Sequence, residues 1–513
     1  MPIVKKQRST SASIPAPIGG WNARDSLGDM DQKDAVELNN FFPRTTDVVS
    51  RKGHTRYATG LPVQVESLIS YHGAATQKLF AISNGSIYDV TAGGAVGAAV
   101  VTGLANSRWE YTNVATAGGN FVYAVNGIDK PLLYDGATWT PIDGLSAPAI
   151  TGVTTTTLDN VNLFKTRLWF IQKNTLKVWY LPVNSVGGLA AAIDFQSIAR
   201  LGGYLVSMAT WTIDAGYGVD DLAAFITSLG EVIVYRGTDP ASSATWALVG
   251  IWQIGSPLGK RCAFKWQGDI LLITQDGLVP MSAALQSSRV NPRVALTDKI
   301  QSAVSNSATI YGTNFGWQII YFASNNMLLL NVPVSEGSAQ EQYVMNTITK
   351  SWARFTGMGA NCWIVHNDVL YFGGNTYVGK AWDTYYDNGL TITGIAKQAF
   401  NYFGSRGQIK RWTMMRPVFQ VSSGSIQFYV GLDVDFENNA LTSLTTYAVQ
   451  GLSLWDAAIW DQSVWSADTV TYKQWNGASG IGFCASPKIQ TQLGGTLLTW
   501  VSTDLVMESG GIL

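Results

Sequence analysis

Charge is scarce in this chain of 513 residues: 34 Lys and Arg stand against 35 Asp and Glu, together 13% of the sequence. Soluble domains usually carry about 25%. With a formal net charge of -1, no basic field exists to hold nucleic acid tightly. A surface this poor in charge is costly to keep solvated. Large buried subunit interfaces would explain it, because interface centres are depleted in charge and enriched in aromatics.

Cysteine and histidine are scarcer still. Cys262, Cys362 and Cys484 lie too far apart for a disulfide framework or a CxxC metal pair. They read as buried free thiols of a reducing compartment. His54, His72 and His366 belong to no HExxH motif and have no second His at ligand spacing, so each is expected to be structural or exposed. No nucleophile elbow, phosphate loop or dinucleotide fingerprint occurs. We therefore expect no enzyme, no catalytic residue, no metal and no cofactor. No apolar run reaches bilayer length. The basic start has no apolar run behind it, so synthesis in the cytosol without a signal peptide is expected.

Several segments come close to known motifs. Asp135-Gly136-Ala137-Thr138-Trp139 approaches the Asp box of sialidases but lacks the residue between Asp and Gly. Asp433, Asp435 and Glu437 alternate and could share a face as a calcium site; a solvated strand end is the default. Residues 92–97 are rich in glycine, but no helix pattern follows, so a loop is expected. The basic clusters Lys260-Arg261 and Arg406 with Lys410-Arg411 are too short for a single-strand track.

What the chain has is glycine and aromatics: 52 Gly, 19 Trp, 21 Tyr and 19 Phe. Glycine serves tight turns and aromatics fill half-buried sheet faces. One unit recurs, two short β-rich arms around a polar turn. Its first arms centre near residues 80, 122, 169, 225, 272, 320 and 370, with turns such as Asn84-Gly85 and Asp276-Gly277. A spacing in the forties to fifties with about four strands per unit is the propeller signature. The expected fold is all-β: a β-propeller of six or seven blades of short antiparallel strands, with an N-terminal arm and a C-terminal β-sandwich-like module.

The boundaries follow from where the repeat starts and stops. Residues 1–59 are an N-terminal arm and docking segment, flexible over the first 17 and with a short helix over 34–40. Residues 60–395 are the propeller with insertions. One insertion carries a helix, with Thr297 as its cap and Ile300, Ala303 and Val304 as its apolar stripe. Residues 396–513 are the C-terminal β-rich module. Trp21, Phe41 and Phe42 lie outside the repeats, and Trp455, Trp460 and Trp465 form a triplet in the last module. These six are candidate interface residues, expected against the other module or a neighbouring subunit.

The non-repeating start carries a resemblance. Gly19-Gly20-Trp21-Asn22-Ala23-Arg24-Asp25, Met30-Asp31, Leu38-Asn39-Asn40-Phe41-Phe42-Pro43 and Arg51-Lys52-Gly53 resemble the start of the tail nozzle (tail tubular protein B-like) family of short-tailed bacteriophages. The similarity runs on through Val294 to Ile300, the Trp triplet and the end near Glu508. It implies a structural virion protein made in the host cytoplasm. Six copies would form the distal tail tube, contacting an adaptor ring and tail fibres or spikes, with double-stranded DNA passing transiently and no membrane-embedded segment. The alternatives are a glycan-binding or glycan-cleaving β-propeller and a monomeric kelch-type adaptor. A clustered acid pair in a concave pocket would favour cleavage.

Overall fold

The computed structural model describes residues 9–214, 219–284, 292–422, 425–441, 444–448 and 469–512. Its first organising feature is one long strand, His54–His72, whose two halves belong to different sheets. The chain bends between them near Gly60, whose φ of 87° suits only glycine well, and Pro62. The first half pairs with Asn375–Ala381, the second with Gln77–Ser83. A single strand thereby joins the last repeat to the first.

The repeats between are antiparallel meanders. Four of them are complete four-stranded units, starting at Glu110–Thr116, Leu158–Phe164, Leu205–Asp214 and Gln318–Phe322. A three-stranded unit starts at Ala263–Trp266, and another, starting at Cys362–His366, takes its fourth strand from the first half of His54–His72. The second half of that strand opens the remaining unit, with Gln77–Ser83 and Ser86–Asp89. The first strands of these seven units pack side by side in cyclic order, back to His54–His72. The described strands therefore close a seven-bladed propeller, and all seven expected hairpins are present. Each blade keeps only its short outermost strand as an edge.

The rest of the chain builds a two-sheet sandwich. One sheet holds Phe41–Pro43, Val48–Ser50, Gln408–Val421, Val470–Tyr472 and Leu498–Ile512. Ser9–Pro15 is added antiparallel to the last of these, with Ile14 buried. Residues 9–15 are thus a strand, where a flexible arm was expected. The facing sheet holds Asp34–Asn39, Ile392–Gln398, Ala485–Gly494, Ser425–Val434 and Thr445–Ala448. Phe419 meets Phe428 across the gap at 5.4 Å. The second sheet runs on into the sixth blade through Asn39, which pairs with Arg354.

Two local expectations fail. Residues 34–39 form a strand rather than a helix, because Ala35, Leu38 and Asn39 pair with Gln398, Ala396 and Ile395. Tertiary pairing overrides a weak local preference. The helix Gln301–Tyr311 exists, preceded by a 3-10 turn at Asp298–Ile300, and Ile300 and Val304 are buried as expected. Thr297, however, makes no side-chain cap bond. Its hydroxyl accepts the Leu278 N–H at 3.0 Å instead.

Candidate functional site

The first strands of all seven blades line one cavity at the propeller axis, about 250 Å³ and partly open to solvent. Alternation along each strand sends every second side chain inward, so the wall is assembled from residues remote in sequence. Among its lining side chains Glu110 is the one carboxylate, with Arg261 and Lys260 as the cations.

Those charges are paired. Arg261 Nε donates to Glu110 Oε1 at 2.9 Å. Its other nitrogens donate to Ser67 Oγ, Trp109 O and Glu66 O at 2.8, 3.0 and 3.3 Å. Burial opposes the charge on Arg261, but the adjacent Glu110 carboxylate offsets this and holds the guanidinium pKa above its ordinary value. Lys260 Nζ reaches Asp159 Oδ1 at 2.5 Å. Nearby, Arg108 Nε donates to Glu66 Oε1 at 3.0 Å, and its Nη2 pairs with Glu336. Both Arg108 and Arg261 lie over the Phe315 ring, at 4.3 and 5.3 Å. Burial works against the Glu336 charge too, yet the Phe315 amide and Arg108 hold its carboxyl below the usual range.

Other polar side chains of the wall are partly used. Gln318 Nε2 donates to Trp363 O at 2.8 Å, and its Oε1 accepts the Trp363 N–H at 2.9 Å. Asn162 Nδ2 donates to Met208 O at 2.6 Å. Asn160 and Ser207 are 7% and 6% exposed. They line the cavity, and no side-chain partner for either is found among the described residues. Burial pushes the thiol of Cys362, also in the wall, up to about 12.

The candidate residues from the sequence fall elsewhere. Trp21 is buried against Tyr343 at 5.2 Å, with Arg354 at 5.7 Å over its ring. Phe42 packs on Phe355 and Trp382 of the propeller, and Phe41 on Trp500 of the sandwich. All three are core residues of this chain, and their faces are taken by its own side chains. Trp455, Trp460 and Trp465 lie outside the described residues.

The histidines are hydrogen-bonded within the fold. His54 Nδ1 is 3.2 Å from Asp387 Oδ1, and His366 Nδ1 is 2.7 Å from Ser70 Oγ. His72 Nε2 shares the same hydroxyl at 3.1 Å.

The acidic triplet does not assemble, and no metal-holding cluster occurs among the described residues. Asp433 is fully buried with Lys397 Nζ at 2.5 Å, rather than at a solvated strand end. Asp435 accepts the Phe483 and Cys484 amides at 2.8 and 3.1 Å. Lys410, read as part of a basic cluster, is 1% exposed and donates to the carbonyls of Ser405, Gln408 and Phe483. Asp135 accepts the Ala137 and Thr138 amides in a tight turn.

The arginine–carboxylate network was missed in the sequence. Lys260-Arg261 stood out as a short basic pair, but the carboxylate of Glu110 is 151 residues away in sequence. Only the ring closure brings them together.

No protein-family model matches the chain, and no curated protein matches it. Several solved structures are similar at low identity. BBS1N, solved in complex with ARL6DN, aligns at 8% identity and a TM-score of 0.41, over 64% of this chain and 96% of that one. The Cps50 (Swd1) β-propeller domain of Myceliophteria thermophila aligns at 12% and 0.37, over 62% and 98%. An exo-β-1,3-galactanase of Phanerochaete chrysosporium, solved with galactose, aligns at 8% and 0.25, over 76% and 95%.

Proposed function

We propose that this chain is a structural subunit of an oligomeric conduit, of the kind that forms the distal nozzle of a short-tailed phage tail. The observation that carries this reading is an apolar flap held rigid in water. Ile150–Thr151 and Gly188–Leu189 pair in parallel beside the second and third blades. At the flap's tip Leu145 is 97% exposed, and Leu189 is 68% exposed. The tip is fixed, because Asp143 Oδ1 accepts the Leu145 and Ser146 amides at 2.8 and 2.9 Å. We read these two exposed leucines as apolar surface that a neighbouring subunit would cover.

Two further points support the reading. The axial space of about 250 Å³ cannot pass a duplex, whose major groove alone is about 12 Å wide. DNA would therefore travel between copies, with each propeller serving as wall. The sandwich shares a continuous sheet with the sixth blade, which suits a load-bearing body. Contacts with an adaptor ring and with fibres or spikes belong to the same proposal, as does a place in the virion tail.

Glycan cleavage is the weaker reading. It needs two carboxyl groups about 5 to 9.5 Å apart across the scissile bond. The axial cavity has one, Glu110, and it is held by Arg261.

Cryo-EM of the assembled particle tests the proposal. A closed ring of copies around the tail axis, with the flap in a subunit contact, is the expected result. A single copy on the outside of the tail, or a lumen lined by rings of Lys and Arg, would overturn it.

A further inference from the structure

We infer that the axial cavity is a binding site for a small neutral polyhydroxylated molecule, of the class of a single monosaccharide ring. Size sets the first limit. Pockets for drug-sized ligands run from about 300 to 1,000 Å³, and one water occupies about 30 Å³ of liquid. A cavity of about 250 Å³ is larger than a water site and smaller than a drug site, which suits one ring.

Charge sets the second limit. Arg261 is paired with Glu110, and Lys260 with Asp159. An ion that displaced one partner of the Arg261–Glu110 pair, whose side chains are 13% and 18% exposed, would leave the other uncompensated, which is strongly unfavourable. A neutral ligand breaks neither pair.

Hydrogen-bonding capacity sets the third. Asn160 and Ser207 are both more than nine-tenths buried, and both line the cavity. Neither side chain has a protein partner among the described residues, so both are free to bond a molecule that enters the cavity in place of water. Glu110 has a second oxygen beyond the one held by Arg261, and Asn162 has Oδ1 beyond its bound amide nitrogen. Both of these atoms only accept. A ligand that donates at several points suits these acceptors, and hydroxyl groups do so while also accepting from the Asn160 amide and the Ser207 hydroxyl. Phe264, half-buried in the same wall, offers an apolar face for the ring's C–H side.

The site shares no residue with the flap, so polyol binding and ring assembly succeed or fail separately. The test uses the full chain with D-glucose, D-galactose and N-acetylglucosamine, each free and as its methyl glycoside. Sulfate and acetate serve as charged controls. Saturation-transfer NMR and calorimetry at millimolar concentration are expected to register at least one neutral sugar and neither anion. Preference for the methyl glycoside identifies a glycan terminus as the source; preference for the free sugar identifies a soluble metabolite. Ser207→Ala and Asn160→Ala should each weaken binding about three- to tenfold, with thermal melts showing that both variants fold. No signal from any neutral probe overturns the inference. So does binding unchanged in two folded variants, or binding of an anion in preference to every sugar.

Discussion

Arg51 and Asp387 form a two-pronged ion pair where the sandwich meets the propeller, with Nη1 2.9 Å from Oδ1 and Nη2 against Oδ2. The remaining donors of Arg51 reach Asn40 Oδ1 at 2.7 Å, Lys52 O at 3.0 Å and Thr356 O at 2.6 Å. Its side chain is 1% exposed. One guanidinium thus ties the start of the chain to the sixth blade and to the segment after the seventh.

Replacing Arg51 by Met keeps the apolar stem but leaves the Asp387 carboxylate and the Thr356 carbonyl without that donor. Removing one partner of a buried pair costs about 3–5 kcal/mol. Urea unfolding should show a lower midpoint with an unchanged slope. A loss below about 1 kcal/mol, the scale of a surface pair, would mean that the junction does not depend on this contact.

Two groups give stability a defined pH dependence. Burial lowers the pKa of His366 from 6.5, and the neighbouring His72 lowers it further. The unfolded chain therefore binds that proton more tightly. Stability is full above the unfolded value and falls as pH drops through the folded one. Asp387 acts at lower pH. Burial would raise its carboxyl, but the hydrogen bonds from His54 and Arg51 prevail and hold it below 3.8. Its contribution is present above the ordinary carboxylate pKa and is lost as pH falls through the lower folded value. Melting temperature should decline in two stages on acidification. His366→Gln should flatten the first stage and Asp387→Asn the second. A flat profile between about pH 7.5 and about pH 5, where histidine titrates, would contradict the role given to His366.

The thiols should be inert in the folded chain. Cys262, Cys362 and Cys484 are all free and buried. Burial pushes the first two up to about 12 and raises the third. The thiolate is the reactive form, so alkylation near pH 8 should leave all three unmodified by mass spectrometry until urea unfolds the chain. Rapid labelling of one cysteine in native buffer would place it in an opening segment.

How much of this was legible in the sequence depended on distance along the chain. The hairpins were, because arm, turn and arm lie within about 15 residues and follow a period of two. Asn84 and Gly85 take φ values of 49° and 64°, the left-handed pair that an Asn-Gly turn supplies. Residues 34–39 were misread because Ala35 and Leu38 also fit a helical spacing, while the strand partners that decide the matter, Gln398 and Ala396, lie some 360 residues on. Trp21 and Phe42 are buried, but not against the C-terminal module or a neighbouring subunit, where the sequence led us to expect them. Their actual partners, Tyr343 and Phe355, sit on the sixth blade, a pairing that no local pattern encodes. The axial cavity was hidden for the same reason, since each blade contributes only a few side chains to it.

The flap at Leu145 gives the most direct test of association. The Asp143 side chain fixes the turn by accepting two amides, while Lys130 Nζ holds its other oxygen at 2.7 Å. The backbone that carries Leu145 is therefore already ordered, so docking adds mainly the cost of fixing the side chain itself. Leu145→Asp should leave the fold and the melting temperature unchanged, because the side chain touches no core. In a partner's apolar pocket, however, the new carboxylate would be buried unpaired, a penalty of several kcal/mol. Incorporation into rings should fall at least tenfold. Asp143→Ala, which frees the turn but keeps the leucine, should weaken assembly by a smaller factor. Sedimentation and negative-stain imaging of both variants would read this order. Normal assembly by Leu145→Asp would remove the flap as a subunit contact and, with it, the main support for the conduit.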